Sequence, residues 1–224
     1  MIFIKKTYPE PAELAGERRK RNGDYNKPGI VERVKNDFYE KCYICENKDL
    51  LSLNIEHLRP HLNNPLLKLD WENLFYACTH CNNIKNRFHP NIIDCTKEQN
   101  VEMSVKISPT VLNYRVDLVI EAQDQEEATI DTVELLRKIY NGTTIQKKIE
   151  SSNLRKKIIK EIIELMTLVN EYDEASLPRK KERLKEEILD RLHDRSEFAS
   201  VKRWYIRNVP ELSERFINTN EIHI

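Results

Sequence analysis

The feature of this sequence that most constrains its fold is a pair of Cys-x2-Cys motifs separated by residues 46–77. Each motif presents only two thiolates, whereas a tetrahedral Zn²⁺ site needs four, and disulfides are improbable in a reducing cytoplasm. We therefore predict one structural zinc, in a closed site that leaves no position open for catalysis. Its four ligands are Cys42, Cys45, Cys78 and Cys81. The remaining Cys95 is predicted to be a small buried hydrophobic residue.

The charge of the chain is neutral in total but uneven along its length. Its 224 residues carry 37 Lys and Arg against 37 Asp and Glu, which excludes a globally basic coat protein and an acidic disordered chain. Residues 98–134 have an excess of acids, whereas 1–41 and 143–207 have an excess of bases. A basic face that binds phosphate therefore remains compatible with this composition.

Hydropathy predicts a protein that functions in the cytoplasm without a membrane span. The mean hydropathy is −0.67, and no apolar run reaches the roughly 18 residues that a spanning helix needs. The first residues, MIFIKKTYPEP, have neither the apolar segment nor the small-residue cleavage site of a signal peptide.

The first 95 residues predict helices followed by a small α+β unit. Helices are expected over 11–21 and from Pro28 onward. Between the cysteine pairs we predict a strand over 51–55, a loop containing Pro60 and Pro65, and a strand over 73–77. The second cysteine pair then opens a short helix.

The remainder of the chain predicts a mainly helical region. Residues 101–122 alternate apolar and polar side chains as strands do. Helices are expected over 128–140, from Thr143 onward, over 178–195, and over 200–216 with an interruption at Pro210. The apolar stripe expected on the long helix from Thr143 comprises Ile145, Ile149, Leu154, Ile158, Ile162, Leu165 and Val169.

The segment between the cysteine pairs carries the residues that suggest chemistry. Glu56 offers a hard oxygen ligand to a cation, and the adjacent His57 offers a base that titrates near neutral pH. The amide oxygen of Asn82, which follows a zinc cysteine, could complete the cation site, and Asn73 could fix the histidine loop by hydrogen bonds. A base for water and a cation for the scissile phosphate are what phosphodiester hydrolysis needs.

The order EH-x2-P, NL and C-x2-CN-x2-K between paired Cys-x2-Cys motifs resembles the HNH endonuclease family over roughly residues 42–88. The resemblance implies a zinc-stapled ββα-metal core, with His57 as general base and Glu56 and Asn82 as ligands of a catalytic Mg²⁺ or Mn²⁺. It also implies that Asn73 orients the catalytic loop. The sequence departs from many members in having Glu rather than Asp at position 56 and Asn rather than His at position 82.

Several nearby residues have more than one interpretation. Arg59, His61 and Lys85 are candidate contacts to nucleic-acid phosphates, although solubility or loop packing would also account for them. Asn86 lies one turn beyond Asn82 and is the alternative metal ligand. His80, inside the second cysteine pair, is a further candidate zinc ligand, but the spacing favours the cysteines.

The whole chain resembles, more loosely, the HNH subunits of Septu-type defence systems, relatives of which accompany some retrons. The likeness rests on the IKK–Pro–helix leader, an HNH core ending near HPNIIDC, and a helical C-terminal part. It implies an ABC-type ATPase partner and a role against phage. The division expected is an N-terminal helical arm over 1–41, the HNH core over 42–95, and a C-terminal domain over 96–224 that docks a partner or selects substrate.

The sequence therefore predicts an α+β metal-dependent endonuclease that cuts nucleic acid, with DNA favoured as substrate. Two alternatives stay open. The protein could be a zinc module that binds nucleic acid, or bridges an ATPase to it, without cutting. It could also be a toxin-like nuclease that uses the same site on RNA.

Overall fold

The computed structural model describes residues 1–48, 52–97, 99, 101–112, 115–142 and 144–217. Its N-terminal part holds two helices, α1 (Ala12–Arg18) and α2 (Pro28–Asp37). Pro28 suits the start of α2, because the N–H that proline lacks would have no hydrogen-bond partner within the helix at this position. Both helices were predicted, but α1 ends three residues earlier than its predicted end, and residues 19–21 lie beyond it.

The segment between and after the cysteine pairs forms an antiparallel hairpin followed by a helix. Strand β1 (Leu53–His57) pairs with β2 (Leu74–Cys78) so that Leu53 opposes Cys78 and His57 opposes Leu74. A short helix, α3 (Pro65–Lys68), lies in the connection, and α4 (Thr79–Lys85) follows β2 directly. The predicted strand–strand–helix order and the α+β class are confirmed.

Two boundaries in this unit differ from the predictions. Strand β1 continues to His57 rather than ending at residue 55, and the first residue of the predicted strand lies outside the described residues. The stretch predicted as a loop contains α3, because Pro65 suits a first helical position and the Asn64 side chain caps the helix by accepting from the N–H of Leu66 at 3.0 Å.

The C-terminal half contains a second hairpin and five helices among the residues described. Strands β3 (Val105–Leu112) and β4 (Arg115–Ala122) pair antiparallel, which confirms the alternation pattern. The helices are α5 (Glu127–Asn141), α6 (Ile145–Glu174), α7 (Pro178–Leu192), α8 (Ala199–Arg207) and α9 (Pro210–Phe216). The predicted break at Pro210 is confirmed, since this proline begins α9.

The apolar stripe of α6 is buried from Leu154 to Val169, with one correction. Ile149 was predicted to face inward, but it is 59% exposed. It precedes Leu154 by five residues, which is about 140° around a helix, so it lies off the buried face. The side chain of Ile145, at the start of the predicted stripe, lies outside the part of the structure described.

One hydrophobic core extends through most of the described chain. It includes Ile2, Phe75, Leu136, Ile158 and Val201, and a smaller second cluster joins α6 to α9. The core therefore crosses the expected boundaries at 41/42 and 95/96, and the three-part division stays a prediction. A membrane-crossing helix, which would have to be long and apolar, is not found within the described ranges.

Candidate metal centre and active site

Four cysteine side chains converge at the end of the first hairpin. The sulfur atoms of Cys42, Cys45, Cys78 and Cys81 all lie within 4.8 Å of one another, and all four residues are buried. The Sγ atoms of Cys45 and Cys78 are 3.9 Å apart. Zn–S bonds of about 2.3 Å in a tetrahedron place sulfurs about 3.8 Å apart, so the cluster fits a closed zinc site.

Local structure explains why these thiols meet. Tyr43 of the first pair is tied to β2, because its backbone N–H donates to the carbonyl oxygen of Tyr76 at 3.0 Å. Cys78 ends β2 and caps α4, accepting from the N–H of Cys81 at 3.4 Å. Without a metal, the four thiols share hydrogen bonds that lower the pKa of Cys78 and, together with burial, raise those of Cys45 and Cys81, so the cluster titrates as a unit. Cys95 is buried apart from this cluster, as predicted for a small hydrophobic residue.

Glu56 lies near the other end of β1 and is buried with two partners. Its Oε1 is 2.6 Å from Nζ of Lys85 on α4, and its Oε2 accepts from the hydroxyl of Tyr43 at 2.6 Å. Burial raises the pKa of Glu56 to about 7, although Lys85 and Tyr43 oppose this shift. The carboxylate is therefore held by an internal cation and a phenol rather than open to water.

His57 ends β1 and lies in a different environment. Its Nε2 is 3.0 Å from the carbonyl oxygen of Lys68, and its ring packs edge-on against Tyr25 and His61 at centroid distances of 4.7 and 4.6 Å. A carbonyl oxygen can only accept, so Nε2 carries the proton and Nδ1 keeps its lone pair. Burial, helped by the neighbouring Lys85 and Lys68, lowers the pKa of His57 to about 4, although the bond to the Lys68 carbonyl opposes this shift. The imidazole is therefore neutral at physiological pH.

The acid and the histidine are joined by Lys85 rather than by direct contact. Successive residues of a strand point to opposite faces, which explains the separate surroundings of Glu56 and His57. The ammonium of Lys85 contacts Glu56 and also donates to the carbonyl oxygen of His57 at 3.0 Å. The half-buried Asn82 lies one turn before Lys85 on α4.

Asn73 fixes the loop that follows His57. Its Oδ1 accepts from the N–H of Arg59 at 2.8 Å, and its Nδ2 donates to the carbonyl oxygens of Arg59 at 2.9 Å and Leu67 at 3.0 Å. Its own carbonyl oxygen accepts from the N–H of Leu58. This buried amide thus holds both sides of the loop.

The predicted phosphate contacts fall into different environments. Arg59 is exposed, and His61 is half-buried against His57. Lys85 was expected to contact phosphate, but its side chain is fully buried and pairs with Glu56, so the ammonium is not accessible there. The alternative metal ligand Asn86 is exposed, and its side-chain oxygen accepts from the N–H of Arg87 at 2.7 Å.

The candidate zinc ligand His80 points away from the thiols. Its Nδ1 pairs with the carboxylate of Glu150 on α6, and its Nε2 is 3.1 Å from the carbonyl oxygen of Ile139. His80 is therefore a link between α4 and the C-terminal helices, and the four cysteines form the cluster among the residues described.

Sequence reasoning missed three residues that hold the candidate site. Tyr43 bonds Glu56, and its place inside the first cysteine pair could have indicated a position close to the metal centre. The Lys68 carbonyl and the Tyr25 ring contact His57 from a loop and from the N-terminal arm. Nothing in the sequence pattern indicated the last two, because their contacts depend on tertiary packing.

Comparison with known families assigns this unit. The site consists of four cysteines suited to zinc, an antiparallel hairpin and the helix that follows it. Residues 42–88 match the family model of the HNH endonuclease, so this segment is an HNH endonuclease domain and the resemblance is confirmed there. The family implies nuclease activity on nucleic acid. A search of curated proteins found no significant match.

Proposed function

We propose that the protein is a metal-dependent HNH endonuclease that hydrolyses phosphodiester bonds, with DNA as the favoured substrate. The observation that carries the proposal is the state of His57, inside the segment matched to the family. Its ring is neutral, oriented by the Lys68 carbonyl oxygen, and presents an unprotonated Nδ1. No hydrogen bond to this nitrogen is found among the described residues.

His57 acts as the general base in this proposal. Its Nδ1 accepts the proton of a water molecule that attacks the scissile phosphorus, and the Nε2–H bond to Lys68 keeps the ring in the required tautomer. Asn73 acts as a positioning residue, because it holds the loop next to His57 through backbone bonds to Arg59 and Leu67.

The donor atoms available for a catalytic cation suit a hard divalent ion. Glu56, in exchange for its contacts with Lys85 and Tyr43, would supply carboxylate oxygens and Asn82 an amide oxygen, which are the ligand types that Mg²⁺ and Mn²⁺ prefer. Such an ion stabilises negative charge on the phosphate and on the leaving oxygen. Lys85 competes for Glu56, so we expect weak cation binding in the absence of nucleic acid.

The cysteine cluster has a separate role in the proposal. Structural zinc, held by the four buried thiolates, supplies folding free energy to a unit too small to bury much surface by itself. It has no open position for substrate. One tightly held zinc and one weakly held Mg²⁺ or Mn²⁺ per chain are therefore expected.

A cleavage assay with histidine variants tests the proposal. Wild type, His57→Ala and the matched control His193→Ala are incubated with plasmid DNA, linear DNA and RNA in Mg²⁺ or Mn²⁺. We expect His57→Ala to lose about 10²–10⁴-fold in rate and His193→Ala to retain activity. Equal cleavage by wild type and His57→Ala would contradict the assignment, and absence of cleavage by wild type would favour the non-cutting zinc module.

Substrate and partner remain proposals of finer detail. The DNA preference rests on the family resemblance alone, and preferential cleavage of RNA in the same assay would replace it with the toxin-like alternative. An ABC-type ATPase partner, a role in antiphage defence and a cytoplasmic location also stay predictions. Copurification with the product of a neighbouring ATPase reading frame would test the partner.

A further inference from the structure

The first half of α6 exposes a row of positive and polar side chains. Lys148, Ser152 and Lys156 recur every four residues, so they lie on one face of the helix. Lys148 and Lys156 are exposed, and neither ammonium has an ionic or hydrogen-bonded partner within the described part of the chain. Lys160 continues the row and is 3.7 Å from Glu164.

Open depressions flank this row. One of about 610 Å³ lies between α6 and the second cysteine pair, and its walls include Lys156 and the hydroxyl groups of Ser52 and Thr79, which are hydrogen-bonded to each other at 2.5 Å. Two others, of about 410 and 400 Å³, share Lys148 and Ser152 in their walls. The surface therefore combines ammonium groups, hydroxyls and concave space, which are the features that bind phosphate backbones.

The two acidic residues in the walls of these depressions, Glu150 and Asp117, are each paired with a basic side chain. Glu150 pairs with Nδ1 of His80, and Asp117 lies 3.7 Å from Nε of Arg155. Lys148 and Lys156 thus keep a local excess of positive charge, although the whole chain is neutral.

The row is fixed to the HNH domain. His80 of α4 contacts both Glu150 and the carbonyl oxygen of Ile139, and Nζ of Lys157 donates to Oδ1 of Asn47 at 2.9 Å. These contacts join α6 to the zinc end of the first hairpin. His57 lies at the other end of β1, four residue steps or about 13 Å along the strand.

From this arrangement we infer that the α6 row of Lys148, Ser152 and Lys156, with the depression beside Thr79, binds the phosphate backbone of nucleic acid flanking the cleaved bond. The inference rests on the proposed function for the identity of the ligand. Lys148 and Lys156 are separated by about 12 Å along the helix, a length over which one strand of DNA presents three to four phosphates. Contacts of this kind carry no base sequence information.

Nucleic-acid binding by a cleavage-deficient protein tests the inference. The full chain carrying His57→Ala is titrated, without added Mg²⁺, against a fluorescent 20-bp DNA duplex and an RNA duplex of the same sequence at several salt concentrations. The double variant Lys148→Gln, Lys156→Gln is compared with Lys180→Gln, Lys181→Gln on α7, which removes the same charge from another exposed helix.

The expected result is that only the α6 variant binds more weakly. Loss of two phosphate contacts makes the slope of log affinity against log salt less negative by up to about 1.8, whereas the α7 variant keeps the parent slope. Equal affinities and slopes for the two variants, or no binding of either duplex by the parent, would overturn the inference. Because binding is measured without cleavage, a loss confined to the α6 variant would support the surface even if the nuclease proposal failed.

Discussion

The two ends of the first hairpin are built on different principles. At one end, four thiols from the two flanking cysteine pairs form a closed cluster, and each is buried. At the other end, Glu56 and His57 face different surroundings and depend on side chains and carbonyls from several segments. The first end can be specified by local spacing, whereas the second needs the rest of the fold.

This difference separates stability from chemistry. Four thiols leave no ligand position free on a tetrahedral ion, so zinc bound there would hold the fold together without exchanging with substrate. The acid and histidine end keeps polar groups in a buried site, where Lys85 holds both Glu56 and the backbone of His57. Substitutions in the thiol cluster should therefore change zinc content as well as stability, whereas substitutions of Glu56, His57 or Lys85 should leave zinc bound.

The largest effect is expected from breaking the thiol cluster. Cys78→Ser removes one of the four thiols while serine can still cap α4, so we expect loss of zinc and a fall of more than about 4 kcal/mol in the free energy of unfolding. Elemental analysis and denaturant unfolding measure the two quantities. The control Cys95→Ala removes a buried thiol outside the cluster and should retain zinc. Retention of zinc and stability by Cys78→Ser would show that the four thiols do not form the metal site.

An intermediate effect is expected from breaking the buried ion pair. Lys85→Met leaves the Glu56 carboxylate buried without its cation, which should lower the free energy of unfolding by about 3–5 kcal/mol while zinc stays bound. Denaturant unfolding with zinc analysis measures this.

The double variant Lys85→Met, Glu56→Gln is the matched control for that prediction. Because it removes both charges, it should be more stable than Lys85→Met alone. If the single and double variants lose the same stability, the two charges do not act as a unit.

The same contrast explains what the sequence could predict. Cysteine spacing and strand alternation were sufficient for the metal cluster, both hairpins and the α+β class, because these depend on local pattern. The HNH segment was recognised from motifs that lie within 42–88. The burial of Lys85 was not predictable, because a lysine three residues after Asn82 has the same pattern whether it reaches solvent or Glu56.

The tertiary contacts between helices and strands were harder to predict than the helices and strands themselves. Ile149 fits an approximate apolar periodicity, but the tertiary contacts of α6 select a stripe that excludes it. Tyr25 comes from the N-terminal arm and reaches His57 only because the arm packs on the hairpin. The candidate site therefore includes groups that no motif marks.

The smallest effect expected is on the pH dependence of stability at the acid and histidine end. The pKa of His57 is lowered in the fold to about 4, so the unfolded chain binds a proton first as pH falls below about 6.5. Its contribution to stability is therefore present above pH 6.5 and lost as pH falls towards 4.

Glu56 acts in the opposite sense: its pKa is raised to about 7, so its contribution is present below its ordinary pKa and lost as pH rises through 7. His57→Ala removes only the dependence that comes from His57, so wild type should gain up to about 3 kcal/mol relative to this variant between pH 4 and 7. Denaturant unfolding at several pH values, without added divalent cation, measures the difference. Parallel profiles for the two proteins would mean that His57 titrates alike in the folded and unfolded chains, and the neutral, preoriented imidazole on which the proposed chemistry depends would lose its physical basis.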